Sequence, residues 1–274
     1  MRYIVLLILL AAPFTIIAQT KLDSSKLEYT LFHPTPRFLM RRFETDRPDV
    51  TESPYTVDAG HFQYETDLFK TDQSNSGGIK TIINAYNAAN LKLGITNSLD
   101  LQLIVESYTT QKTTEGLITQ KKSGFGNLTL RVKQNLWGND NGKTAFALLP
   151  YVVLPTTSNA KITGGLVLPL SVSLPNDWDF GTELETSFEE NQFNNRYHLN
   201  FQVTATISHE LFTHCDFFFE GLINRNNELK NDDYSVNSGL IYELEKNLNI
   251  DTGIYYGLKN TSSKVYFIGM SFRY

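Results

Sequence analysis

Six acidic residues, one arginine and two prolines crowd the stretch ETDRPDVTESPYTVDAGHFQYE, residues 44–65. Glu44, Asp46, Asp49, Glu52 and Asp58 offer the hard oxygens that calcium takes. A calcium loop, however, is compact, sets its ligands at alternate positions and turns on a glycine. Here the spacing is irregular, and Pro48 and Pro54 hold the backbone extended. Ion pairing fits better, with Arg47 reaching Asp46, Asp49 or a carboxylate elsewhere. His198, His209 and His214 are zinc ligands by type, but roughly ten residues of extended chain separate the first from the others, too far for one tetrahedral site. A histidine-activated serine needs the two side chains in contact. The five histidines read HPT, HFQ, HLN, HEL and HCD, with no His-x-Ser. Serine and histidine can still meet across strands, which keeps an enzyme as a lesser alternative. The pattern calls for no metal and no cofactor.

What positions these residues is an alternation that begins at Gly60 and lasts to Tyr274. In HFQYETDL, Phe62, Tyr64, Thr66 and Leu68 oppose Gln63, Glu65 and Asp67. In RYHLNFQVTATIS, Tyr197, Leu199, Phe201, Val203, Ala205 and Ile207 oppose His198, Asn200, Gln202, Thr204 and Thr206. A helix scatters such sets around its axis, whereas a strand sorts them. The same sorting sets Leu99, Leu101, Leu103 and Val105 against Asp100, Gln102 and Glu106. It sets Leu128, Leu130 and Val132 against Thr129, Arg131 and Lys133. Glu183 and Glu185 oppose Phe180, Leu184 and Phe188; Asp216 and Glu220 oppose Phe217 and Phe219. Glu243 opposes Tyr242 and Leu244, and Asp251 opposes Ile250 and Ile254. With the noisier segments 79–95 and 143–155, the pattern predicts about twelve strands. Connections alternate in length: short at 96–98, 138–143, 175–177, 209–213 and 245–247, longer or looser at 72–78, 109–123, 156–165, 189–195 and 225–232.

The leader MRYIVLLILLAAPFTIIAQT reads as a secretory signal over residues 1–18, cleaved after Ala18. Its apolar run spans about 15 residues and contains Pro13, where a membrane helix needs roughly 20. Residues 19–59, with prolines at 34, 36, 48 and 54, form an extended N-terminal segment, and 60–274 form the strand domain. Cys215 is the lone cysteine, so no intramolecular disulfide supports the fold. A net charge of −5 without a basic block argues against nucleic acid as partner.

A soluble sandwich also alternates. Three features favour a membrane barrel instead. The strands run about 10 to 13 residues, near the 9 to 11 that cross a bilayer when tilted. Bulky aromatics gather toward two rims: Trp137, Trp178, Phe180, Phe212 and Tyr274 at one, Phe69, Tyr108, Phe188, Tyr197 and Tyr234 at the other. The last strand ends on Phe272 and Tyr274, an aromatic-ended pattern read by barrel-assembly machinery. The inward faces then carry Glu65, Asp67, Glu106, Arg131, Lys133, Glu183, Glu185, Asp216, Glu220, Glu243 and Asp251, ruinous in a packed core but acceptable in a hydrated lumen. The fold class is therefore all-β: a transmembrane antiparallel up-and-down barrel of about twelve strands in the outer membrane of a Gram-negative bacterium. Acidic and basic lumenal residues lie several strands apart, which sets up a transverse field. Asp46, Arg47, Asp49 and Glu52 are placed at the periplasmic mouth as gate candidates.

TDRPDVTESPYTVDAGHFQYE, ANLKLGITNSLDLQL, FGNLTLRVKQNLWG and LLPYVVLPT together resemble the outer-membrane barrel family labelled for a meta-pathway of phenol degradation, over roughly residues 44–274. The resemblance implies a transporter of small molecules, aromatic or hydrophobic by the family's label, and supplies no catalytic residues. Expected partners are outer-membrane lipid, the assembly machinery and a small-molecule solute; oligomeric state stays open. The alternatives are a plugged structural or interaction barrel that binds a partner through its outer loops, and an outer-membrane lipid-modifying enzyme.

Overall fold

The computed structural model describes residues 26–140, 142–156, 160–190, 196–227 and 231–274, so the leader expected at 1–18 lies outside the described residues. The alternation closes into one antiparallel sheet. Its elements are β1 (Phe62–Ser76), β2 (Ile79–Thr96), β3 (Leu99–Val105), β4 (Tyr108–Glu115), β5 (Ile118–Phe125), β6 (Leu128–Trp137) and β7 (Thr144–Leu154). They continue as β8 (Thr163–Ser173), β9 (Asp179–Glu190), β10 (Tyr197–Phe212), β11 (Cys215–Asn226), β12 (Asn231–Glu245), β13 (Leu248–Gly257) and β14 (Lys264–Arg273).

β1 pairs with both β2 and β14, which leaves the ring without an edge. β3 and β4 both pair with β2, and are two parts of one strand broken at 106–107. β5 and β6 are likewise one strand broken at 126–127. Counted around the ring, the barrel has 12 strands. Closure matters because an open strand edge in hydrocarbon leaves backbone groups unsatisfied.

Two expectations change. Residues 109–123, read as a loose connection, form the β4–β5 hairpin, with Lys112 opposite Lys121 and Thr114 opposite Thr119. Residues 72–76 belong to β1, and β2 runs 18 residues. The threonines, lysines and glutamines of these extensions give no apolar face, so nothing in their pattern announces a strand. The sheet also bulges between β1 and β14, where Asp67 pairs with Gly269 and the next pair is Phe69 with Ile268. At the bulge Leu68 and Phe69 are both exposed, and Phe69 meets the Tyr86 ring.

Packing is inverted relative to a soluble domain. Leu101, Leu130, Val203, Phe219 and Ile268 stand exposed on the outside, while Glu65, Lys92, Lys133, Glu183, Glu220 and Asp251 are buried inside. Aromatics mark two levels. Trp137 stacks on Phe146 at 4.8 Å and Trp178 on His209 at 4.5 Å near the short turns. Phe69, Tyr86, Tyr108 and Phe125 form a row toward the long rim.

Candidate functional site

The N-terminal segment enters the barrel. Gly60, at φ 74°, makes the turn into β1, and its N–H reaches the Gly94 carbonyl at 2.9 Å. Upstream, the chain from Glu44 to Asp58 crosses the lumen, where the wall receives it residue by residue.

Backbone donors come first, since an extended segment with no sheet partner must satisfy its N–H groups elsewhere. Wall carboxylates accept them. Glu65 takes Asp46 N–H at 3.1 Å, and Glu220 takes Val50 at 3.1 Å and Thr51 at 2.7 Å. Glu183 takes Glu52 N–H at 2.7 Å, and Asp100 takes Val57 at 3.0 Å. Glu220 is fully buried and also accepts from the Thr51 hydroxyl and from Asn237.

Ion pairs add four anchoring clusters. Arg47 reaches Asp67 at 2.7 Å and Asp251 at 2.7 Å. Asp46 is held by Lys92 and Lys133, both at 2.5 Å, and Lys92 also meets Glu65. Glu52 pairs with Arg131 at 2.6 Å. Nearer the short-turn rim, fully buried Asp58 meets Lys26 at 3.2 Å, Arg41 at 3.5 Å and Arg273 at 3.2 Å. Removing one partner of such a buried pair strands the other at about 3–5 kcal/mol.

An aromatic corner backs Arg47. Its guanidinium lies 5.6 Å from the Phe267 ring, Phe267 lies 4.9 Å from Tyr255, and the Tyr255 hydroxyl donates to the Pro48 carbonyl at 2.5 Å. Gly269 leaves the room: a Cβ there would stand 2.0 Å from Arg47 Nη2.

Charge states follow from this packing. Burial opposes the Arg47 charge, but its bonds to Asp251 and the Asp67 charge outweigh burial and raise its pKa. Burial likewise works against the Asp46 carboxylate, yet Lys133 and Lys92 hold it well below its ordinary range. Glu52 goes the other way: burial pushes it to about 7 despite Arg131. Burial, with Glu220 beside it, raises Asp49 well above its usual value. Glu44 is pushed to about 7 by burial, against Arg42.

The wall residues singled out from sequence divide into three groups. Glu65, Asp67, Arg131, Lys133, Glu183, Glu220 and Asp251 all touch the plug segment. Glu185 stands beside it, bonded to the Tyr151 hydroxyl and to Gln202 at 3.3 Å. The rest lie apart. Glu106 is exposed at the β3–β4 break and accepts Asn127 N–H at 3.0 Å; Asp216 meets Arg42 at 3.6 Å, and Glu243 meets His214 at 3.7 Å, both at the short-turn end. Phe272 packs on Tyr64 at 5.3 Å, while Tyr274, mostly exposed, closes the strand ladder through its N–H to Phe62.

Asp46, Arg47, Asp49 and Glu52 lie further in than the mouth, against wall residues three to six positions inside the short-turn ends of their strands. The plug lies between the acidic and basic wall residues that the sequence sets several strands apart. Glu52 spans the gap, with its carboxylate on Arg131 and its N–H on Glu183.

Sequence reasoning passed over Lys92, Arg273 and the inward aromatics Tyr255, Phe267 and Phe218, and put Asp100 on a polar face without making it a site residue. Lys92 had a signal: it is a lone cation between Leu91 and Leu93. Arg273 had one too, between two aromatics of the last strand. On the far side of Glu52 lies a cavity of about 250 Å³, lined by Val50, Ile104, Val153 and Val167 with Arg131, Tyr151, Glu183 and Glu185. Among the described residues no three His, Cys, Asp or Glu side chains are grouped to hold a metal.

A closed barrel with charges inside, apolar side chains outside and two aromatic levels defines a transmembrane β-barrel of the outer-membrane type. The chain belongs to the family described as "Putative MetA-pathway of phenol degradation", whose model matches residues 45–274, beginning at the plug segment. No curated protein matches it. Among solved structures it is similar to an outer membrane channel from Pseudomonas putida F1 at 10% identity, over 84% of this chain and 100% of that one, with a TM-score of 0.54. It is also similar to the NanC porin at 11% identity, over 76% and 98%, with a TM-score of 0.50. At these identities the likeness shows the fold.

Proposed function

We propose that this protein is a channel of a Gram-negative outer membrane, passing small molecules when residues 44–58 leave the lumen. One observation carries the reading. The plug is fastened mainly by polar contacts, with wall carboxylates on its backbone N–H groups. Water can take over each such bond in a wetted lumen, whereas the barrel's own ladder stays intact. Twelve strands make a narrower bore than the 16 to 18 of open porins, so one extended segment suffices to close it.

The family's description points to aromatic compounds, and the similar solved structures are a channel and a porin. The cavity beyond Glu52 suits a small amphipathic solute, with valines and Ile104 on one side and Arg131, Glu183 and Glu185 on the other. Phe272 and Tyr274 are the residues offered to the assembly machinery.

Liposome swelling and bilayer conductance test the reading, comparing the intact chain with a deletion of residues 44–57. The intact protein should conduct weakly and the deletion strongly, both with the heat-modifiable gel migration of a folded barrel. Folded protein without flux in either form favours the interaction barrel. If the deletion does not fold, Arg47→Ala gives the same comparison with the segment present.

A further inference from the structure

At the long rim the sheet rises as the upper parts of β1 and β2 with β4 and β5, and its register sorts the outward side chains into rows. The lowest row is aromatic: Phe69, Tyr86, Tyr108 and Phe125 are successive neighbours with rings 5.5, 6.3 and 6.2 Å apart. Two residues higher stand Thr71, Asn84, Thr110 and Ser123. The next row holds Lys112 and Lys121, with Ile82, Gln73 and then Lys264 on the neighbouring strands. Lys80 stands one row above, opposite Thr114.

Three properties of this face point to an anionic ligand. No carboxylate lies on it in these strands, although the chain as a whole is acidic. Lys112 and Lys121 are direct cross-strand partners, an arrangement that destabilises a hairpin unless something neutralises it. Lys80, Lys112 and Lys121 are exposed, and no ion pair engages them among the described residues.

The height of the lysines narrows the choice. Aromatic rows sit at the membrane–water interface. Four residues higher is about 13 Å along a strand, or roughly 10 Å in height at a 45° tilt. Lysine stems bend toward the interface while their ammonium groups stay polar. The cations therefore belong in the head-group layer of the outer leaflet.

We propose that this face binds the phosphorylated head group of an outer-leaflet glycolipid. Lys112 and Lys121 share one phosphate through charge-assisted hydrogen bonds, and Lys80 flanks it. Lys264 stands three strands away, about 14 Å at the usual spacing, where a second phosphate of the same head group fits. The lipid chains then lie on the apolar wall below the aromatic row.

The test is retention of diphosphorylated lipid A by the purified full chain in detergent, read by mass spectrometry after size exclusion. Lys112→Gln with Lys121→Gln should lower retained lipid A at least ten-fold while gel migration stays heat-modifiable. Lys122→Gln, on the opposite face of the same hairpin, should retain as much as wild type. Dephosphorylated lipid A should be held by wild type no better than intact lipid A is held by the double variant. Equal retention by wild type and double variant, or no dependence on phosphate, overturns the proposal. So does binding of inorganic phosphate at these lysines with no lipid A retained.

Discussion

Arg47 grips Asp251 at two points, Nη2 to Oδ1 at 2.7 Å and Nε to Oδ2 at 3.0 Å, joining the N-terminal segment to β13. Its remaining arm takes Asp67 of β1 at 2.7 Å. Arg47→Ala would leave buried Asp251 without its cation and Asp67 with only Lys70 at 3.7 Å, weakening plug docking by about 3–5 kcal/mol. Basal conductance in planar bilayers should rise at least ten-fold, with gel migration unchanged. Wild-type conductance in this variant means that the grip does not hold the lumen closed.

Gly269→Ala tests the same contact from the wall. Its new methyl would stand 2.0 Å from Nη2, so the guanidinium must shift out of the two-point geometry. The side chain is flexible and keeps its charge, so open probability should fall between wild type and Arg47→Ala. A larger effect than Arg47→Ala would contradict this ordering.

Docking should weaken as pH rises toward neutral. Burial lifts Glu52 and Glu44 to about 7 in the docked plug, and release into water returns them toward 4.5. Between those values the docked form binds protons that the released form does not, so each pH increment favours release. Asp49 shifts in the same direction. Asp46 acts oppositely, but its contribution is lost only as pH falls below its ordinary 3.8. Conductance at pH 8 should exceed that at pH 5, with a shallower slope in Glu52→Gln. A conductance that falls over this range would rule the mechanism out.

Once the plug is out, Glu183 and Glu185 face the lumen three strands around the wall from Arg131. In the deletion of residues 44–57, Glu183→Gln with Glu185→Gln should move the reversal potential in a salt gradient toward zero, because a cation-attracting wall has been neutralised. An unchanged potential removes these residues from selectivity.

Much of this architecture was written in the sequence. Strands such as Tyr197–Phe212 announce themselves because lipid on one side and water on the other impose strict alternation. The β4–β5 hairpin does not, since both its faces are wet and Thr, Gln and Lys suit either. The polar character of residues 44–58 was equally plain, but their depth was not. Arg47 meets Asp251 across 204 positions and Thr51 meets Glu220 across 169, separations that leave no local pattern. Lys92 shows the intermediate case: its place between two leucines gives its face, while its partners Asp46 and Glu65 emerge only when the barrel closes.

The claim that the plug must leave for solute to pass is tested most directly by locking it in place. Thr51 and Thr204 hydroxyls lie 2.7 Å apart, joining plug to β10. In a Cys215→Ser background, Thr51→Cys with Thr204→Cys should form a disulfide that abolishes solute flux into liposomes, and a reductant should restore it. Flux through the oxidised protein at the wild-type rate would contradict the account, because solute would then be moving past a docked plug.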